Sequence, residues 1–444
     1  MASTRLTKTN TGTITNNKKF TISFWMKRSI ISAAQETVFG SYPSGTSNDY
    51  VYFPSGDQLG FFGSISGSQS VYLLTTRKFR DVAAWYHIVI AVDTTQGTAA
   101  DRVKIYVNGT QETAFDQSSY PAQDVEFRLA KASNVQEIGC INNGNHFDGL
   151  LSHFHFIDGT QYAASDFGST DSTTGEWKIN TAPSVTYGTN GFFVLKDGNS
   201  VTDASGNSNN FTVAAGTLTN TEDCPSNVFA TLNPLYYAAS QYTLSQGNNS
   251  IVYATDSSRS AFGTIGMTDN LGKFYWEVKI VSDSNNKGAY GICDDLYPDI
   301  QETGAFIDYS GGYGYFANGQ SYNGGTGSSF GNSITTGDIV GVALDMDNLK
   351  LYFSKNGTWQ NSGDPTSGST GTGGVAITQD TYFFASDAHN NTGSGTQYIH
   401  ANFGNGYFGT SAISSAGTNA SGNGIFEYDV PTGFTALSTK GLNL

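Results

Sequence analysis

In the stretch "KKFTISFWMKRS", Phe20, Ile22, Phe24 and Met26 occupy every second position. A period of two puts all four side chains on one face of an extended chain, which predicts a strand with one buried side. The pattern returns in "DYVYFP", "QLGFFGS", "SVYLLTT", "AWYHIVIAVD", "RVKIYVNG", "LLSHFHFID" and "GFFVLKD", and later in "GKFYWEVKI", "GDIVGVALDMDNLKLYFSKNG" and "DTYFFASD". Gly, Asn, Asp and Ser fill the gaps, and no helical period intervenes. Short strands recurring this way, joined by tight turns, have to bury their apolar faces against one another. The expectation is an all-β protein whose first half is a sandwich of two antiparallel sheets.

Two corners repeat the same idea. "DRVKIYVNGTQE" and "NLKLYFSKNGTWQ" each run an alternating apolar stretch into Asn-Gly-Thr, at Asn108 and Asn356. Asn-Gly tolerates positive φ and reverses a strand, so these corners are read as hairpin turns without a catalytic role, the second following buried Leu349, Leu351 and Phe353. Pro225 and Pro234 punctuate "TEDCPSNVFATLNPLYYA", which lacks alternation and separates the two halves.

Charge narrows the partners. The formal net charge is -15, and the densest basic run, "TTRKFR", is short, so nucleic acid is not expected as a partner. No apolar run approaches the roughly 18 residues of a membrane-spanning helix, so no membrane insertion is expected, and the amino terminus lacks a signal-peptide core. Cys140, Cys224 and Cys293 are widely spaced and odd in number, which is read as reduced thiols.

The ordered strings "FTISFWMKRS", "AAWYHIVIAVD", "VKIYVNGTQE" and "FDGLLSHFHFID" resemble the concanavalin A-like jelly roll of the laminin-G type. The strings "FYWEVKI", "YGICDD", "GDIVGVALDMDNLKLYFSKNG" and a terminal "NFG" resemble a SPRY domain, itself a bent β-sandwich. The implied layout is a jelly roll over residues 1–218, a linker or docking segment over 219–244, and a SPRY-like sandwich with a C-terminal tail over 245–444. The joining string "DCPSNVFATLNPL" and the closing "YDVPTGFTALSTKGLNL" are similar to strings in virion proteins of tailed bacteriophages.

Catalytic patterns match poorly. "GSSFG" would make Ser329 a nucleophile, but a nucleophile elbow needs a following helix and here the loop is glycine and serine. "GMTDNLGKF" has the wrong spacing for a phosphate loop. Glucanases of the jelly-roll type need closely paired carboxylates, and Glu277 and Asp283 in "YWEVKIVSD" do not supply them. No catalytic residue is assigned. His153 and His155 share a strand face by the two-residue period, with His146 nearby, and half-buried polar groups explain them as well as a metal does. Asp197, Asn199, Asp203 and Asn207 offer oxygens to calcium without EF-hand spacing, and a string of Asx turns explains them equally. No cofactor is expected beyond that calcium candidate.

Exposed aromatic and amide groups remain. Tyr313 and Tyr322 lie among glycines in "GGYGYFANGQSYNGG", and Trp359 follows the second corner. Aromatic rings stack on the apolar faces of sugars, so these three are candidate ligand residues, joined by Asp294, Asp295 and Tyr297 from loop position. The resemblance implies a bacteriophage structural protein on the virion surface, assembled in the host cytoplasm, as a tail-associated appendage or capsid decoration. It would be a homo-oligomer that contacts other virion proteins and host-surface polysaccharide. The alternatives are a glycan-degrading enzyme of jelly-roll type and an intracellular SPRY adaptor that binds protein.

Overall fold

The computed structural model describes residues 3–31, 34–196, 198, 200–236, 242–253, 260–283, 286–295, 304–388 and 397–443. The chain forms two compact units, Met1–Asn220 with Cys224–Ser226, and Thr221–Asp223 with Asn227–Leu444. Both are antiparallel β-sandwiches, and the protein is all-β.

In the first unit, an eight-stranded sheet runs in the order Phe115–Ser119, Ser68–Lys78, Gln58–Ile65, Ser47–Phe53, Glu36–Ser44, Val135–Ile138, Arg5–Thr9, Thr212–Ala215. It faces a six-stranded sheet ordered Phe192–Val194, Gly149–Asp158, Lys19–Arg28, Tyr86–Asp93, Val103–Val107, Thr110–Gln111. Phe20, Ile22, Phe24 and Met26 all enter the core between the sheets, where the Phe24 and Phe154 rings stack 5.0 Å apart. The prediction of one buried side was too narrow. Lys19–Arg28 is buried on both faces, because residues of the later 162–187 stretch cover the other one: Ala164, Phe167, Trp177 and Tyr187 pack over Val89 and Ile157.

In the second unit, one sheet is ordered Tyr242–Ser245, Ser250–Tyr253, Gln397–Asn402, Lys273–Asp283, Ile339–Asp345, Lys350–Lys355, Thr358–Trp359. The other is ordered Ser260–Met267, Tyr382–Ala388, Gly288–Asp294, Gly312–Phe316, Gln320–Asn323, Thr326–Ser329. Between them lie Trp276, Val278, Tyr290, Ile292, Val342, Leu351 and Phe353. Ala230 and Leu232 from the Pro-punctuated segment enter this core as well. The outer face of the first sheet is covered by a C-terminal strap, whose Phe426, Val430 and Phe434 pack with Tyr275 and Tyr352. Leu349 differs from the expected alternation: its φ of 54° places it in the turn before the strand, where it packs against the core edge.

The two Asn-Gly corners do more than turn. The Asn108 side-chain oxygen accepts the His87 N–H at 2.8 Å, and the Asn356 oxygen accepts the Ile339 N–H at 2.8 Å, so each caps the neighbouring strand. The glycine that follows has φ of 78° in both cases and lies directly beneath an aromatic ring from a covering segment. A Cβ on Gly109 would come within 2.3 Å of the Trp177 ring, and one on Gly357 within 2.6 Å of the Tyr428 ring. Both corners therefore seat a later segment as well as reverse the chain.

Candidate functional site

Strand register alone sets a row of aromatic side chains on the outer face of the eight-stranded sheet. In Ser47–Phe53, Asp49, Val51 and Phe53 point inward, and in the next two strands Phe61, Val71 and Leu73 do the same. Alternation then sends Tyr50, Phe62 and Tyr72 outward. Tyr50 is the direct cross-strand partner of Phe62, and Phe62 of Tyr72. Three half-buried rings thus line up across three adjacent strands. The Tyr50 and Phe62 centroids are 5.3 Å apart with a 39° tilt, and Phe62 and Tyr72 meet edge-to-face at 5.8 Å.

Neighbours hold the row in place. Tyr52 packs edge-on against Tyr50 at 5.1 Å, and its ring lies over Gly60, where a Cβ would intrude to 2.3 Å. Beyond Tyr50 the row meets Gly40, over which Ile141 closes one end. Past Tyr72 its partner is exposed Ser119. Burial, with the neighbouring tyrosines, raises the Tyr50 and Tyr52 hydroxyls above their ordinary pKa, so they stay neutral donors and acceptors. The row carries no charge of its own. Beyond Gly40 on the same sheet, Glu137 is closed in an ion pair with Arg5 at 2.5 Å.

The residues singled out from the sequence do not assemble into one site. Tyr313 is only 6% exposed and faces the core, where its ring meets Tyr382 edge-on at 6.0 Å, which leaves no face for a sugar. Tyr322 lies on the opposite face of that sheet against Phe316 at 5.2 Å, its hydroxyl donating to Gln320 Oε1 at 3.1 Å. Asp294 is buried at the end of Gly288–Asp294 with its carboxylate against Gly311, Asp295 is exposed, and Tyr297 lies outside the described residues. The glycines around Tyr313 have a packing role: Cβ atoms on Gly312 and Gly314 would collide with Phe306 and Ile307. Trp359 is partly exposed, edge-on to Tyr275 at 6.4 Å, and packs beside the strap.

The metal candidates separate in the same way. Asp197 and Asn199 lie outside the described residues. Both oxygens of Asp203 are committed within the chain: Oδ1 accepts the Phe193 and Ser205 N–H groups, and Oδ2 accepts the Ser205 hydroxyl and the Asn209 N–H, at 2.7 to 2.8 Å. His153 has φ of 46°, and the register slips between Ser152 and His155, so the two histidines leave the shared period. His155 is buried, stacked on Phe193 at 3.9 Å and hydrogen-bonded to the Tyr187 hydroxyl at 2.9 Å. Among the described residues no group of three His, Cys, Asp or Glu could hold a metal.

Burial pushes two carboxyls up to about 7, Asp49 in the first unit and Glu277 in the second. Glu277 is the one tied to a covering segment. It is fully buried and accepts hydrogen bonds from the Glu427 and Tyr428 N–H groups, both at 2.9 Å, the Tyr275 hydroxyl at 3.1 Å and Asn402 at 3.3 Å. Its role is to pin the strap. Ser329 ends a short edge strand with no helix behind it, and the three cysteines are free thiols.

Comparison with known proteins agrees with this architecture. Residues 2–164 match the concanavalin A-like lectin/glucanases superfamily in its laminin G form, and residues 273–376 match the SPRY domain. The dual specificity protein kinase splA of Dictyostelium discoideum is 28% identical over 130 residues, 27% of this chain; the chain spans only 5% of that kinase. Solved structures alike in part include a human SPRY domain (18% identity, 36% of this chain, 94% of that one, TM-score 0.28). The SPRY domain of human HERC1 is 16% identical, covering 38% of this chain and 96% of its own, with a TM-score of 0.29. A heptameric SAP-like pentraxin from Limulus polyphemus is 16% identical over 36% of this chain and 72% of its own, with a TM-score of 0.25.

Proposed function

We propose that this chain, a concanavalin A-like domain followed by a SPRY domain, is a structural protein displayed on the virion of a tailed bacteriophage. As a tail-associated appendage or capsid decoration, it holds host-surface glycan non-covalently and performs no catalysis. The observation that carries the reading is the row of half-buried rings Tyr50, Phe62 and Tyr72, an amphipathic surface of the type that stacks on sugars. The linker and tail strings that resemble phage virion proteins support the setting, and a net charge of -15 suits a surface that must not adhere to nucleic acid. Weak single-site binding becomes firm attachment when many copies act together on one particle, as in a homo-oligomer beside other virion proteins.

The test is localisation by labelled electron microscopy, together with retention of purified protein on host cells. Label on the particle and retention abolished by soluble host polysaccharide is the expected result. Absence from every particle overturns the virion role, and absence of retention overturns the glycan role. A second reading, an intracellular SPRY adaptor for a protein partner, is favoured by the match over residues 273–376. It predicts capture of a specific protein that survives deletion of the jelly roll.

A further inference from the structure

We infer that the second unit holds a small carboxylic acid with an apolar body on the outer face of its first sheet. The carboxylate lies between Lys279 and His400, and the body rests on Tyr398 and Val252. This site stands apart from the jelly-roll row and does not depend on the glycan reading above.

Strand register builds it. Ser250, His400 and Lys279 are direct partners across three adjacent strands, Ser250–Tyr253, Gln397–Asn402 and Lys273–Asp283. Val252 and Tyr398 form the neighbouring pair on the same face. Alternation turns all five away from the core, which takes Ile251, Ile399, Val278 and Ile280 instead. Side chains directly opposite each other on antiparallel strands stand about 5 Å apart at Cβ. Lys279 and His400 therefore present two donors side by side.

The proton on His400 follows from its partners. Its Nδ1 lies 2.6 Å from the hydroxyl of fully buried Ser250. A buried hydroxyl has to donate, and this nitrogen is the acceptor it meets, so the ring proton belongs on Nε2. Burial and the charge of Lys279 hold the imidazole down at about 4, which leaves it neutral at pH 7 with Nε2–H as a donor. A Cβ on Gly409 would come within 2.7 Å of Nε2, so glycine keeps this edge of the ring clear.

Lys279 supplies the charge. Its Nζ stands 5.6 Å from the centroid of the Phe408 ring, and among the described residues no carboxylate closes on it. The nearby acids are committed elsewhere: Glu277 accepts the Glu427 and Tyr428 N–H groups, Asp283 accepts those of Lys287 and Gly288, and Asp338 pairs with Lys355 at 3.0 Å. One cation and one neutral N–H match the single charge and two oxygens of a carboxylate, whereas a phosphate dianion calls for more donors. Apolar surface adjoins the pair. Val252 is 36% exposed, and the half-buried Tyr398 ring meets His400 edge-on at 4.7 Å. An aromatic or aliphatic acid buries area on that shelf, and acetate does not.

The experiment follows the His400 imidazole by NMR in the full-length protein while phenylacetate, acetate or inorganic phosphate is added at pH 6. Phenylacetate should bind about tenfold more tightly than acetate, and phosphate no more tightly than acetate. Because an anion favours the charged imidazole, saturating phenylacetate should move the His400 midpoint up from about 4 to about 5. Lys279→Met should weaken phenylacetate by at least about tenfold. Val252→Ser should remove most of its advantage over acetate and leave acetate unchanged. Thermal unfolding of each variant separates lost binding from lost fold. Phenylacetate binding that survives Lys279→Met would overturn the placement of the carboxylate, and phosphate binding more tightly than phenylacetate would overturn the ligand class. Equal affinity for acetate and phenylacetate would overturn the apolar shelf. No response of His400 to any of the three would overturn the site itself, while the glycan reading stands or falls on the retention test above.

Discussion

Glu277 should make the C-terminal strap more tightly held in acid than at neutral pH. Its carboxyl is fully buried and sits at about 7 in the folded state, against 4.5 when exposed, because burial opposes the charge. A folded-state value above the open-state value means that the closed strap binds more protons. The resulting stability is complete below about pH 4.5 and is lost as pH rises through about 7. Between pH 8 and pH 5 the two values give a change of about 1.8 pK units, or about 2.5 kcal/mol. The assay is hydrogen exchange of the Glu427 and Tyr428 amides, which donate directly to this carboxylate. After correction for intrinsic exchange, protection should rise about 70-fold from pH 8 to pH 5. Glu277→Gln removes the titration and should flatten that profile. Protection that is independent of pH in the wild type, or that falls on acidification, would refute the argument that this buried carboxyl controls the strap.

Three further outcomes follow from the geometry. Arg28 is 1% exposed and pairs with Glu36 at 2.7 Å and Asp57 at 3.0 Å; its replacement by Met leaves buried Glu36 without its cation, while Asp57 keeps Arg80 at 2.9 Å. Urea unfolding should show the first unit weakened by about 3–5 kcal/mol. Gly109→Ala forces a Cβ against the Trp177 ring at a φ of 78°, and should cost about 1–3 kcal/mol with an altered Trp177 fluorescence; unchanged stability would mean the corner does not seat the ring. His87 is buried, with Ser23 and Trp177 on its two ring nitrogens, and burial holds it down at about 3. Since the unfolded chain takes up that proton first, stability is lost as pH falls below 6.5, by about 2 kcal/mol at pH 5. Asp49 in the same unit, pushed up to about 7, changes stability in the opposite sense, so the measurement is the difference between His87→Phe and wild type, which should grow in favour of the variant between pH 7 and pH 5.

Much of the architecture was legible because alternation is local. Phe20 to Met26, Leu351 and Phe353 lie in the cores their period assigns, and the Asn-Gly corners turn where the strands end. The candidate site was far less legible. Tyr313 and Tyr322 stand out in sequence because glycines surround them, yet those glycines make room for Phe306 and Ile307 and the tyrosines pack on opposite faces of one sheet. Tyr50, Phe62 and Tyr72 do not stand out in the sequence, since each is an ordinary strand residue. Their signal was weak but present: in "DYVYFP", "QLGFFGS" and "SVYLLTT" an aromatic occupies the face opposite the core.

The all-β class and the inward face of each main strand are readable in the sequence, because a period of two is a property of the neighbouring residues alone; the second sandwich is readable only through the SPRY-like strings. Which aromatics meet depends on how distant segments pair. Strand register is a relation between distant segments: shifting Gln58–Ile65 by one residue against Ser47–Phe53 would send Phe62 into the core and break the row. The straps follow the same physics. The reach of Trp177 to Gly109, and of the Tyr428 N–H to Glu277, depends on the whole sandwich having formed beneath them, so no local pattern announces it.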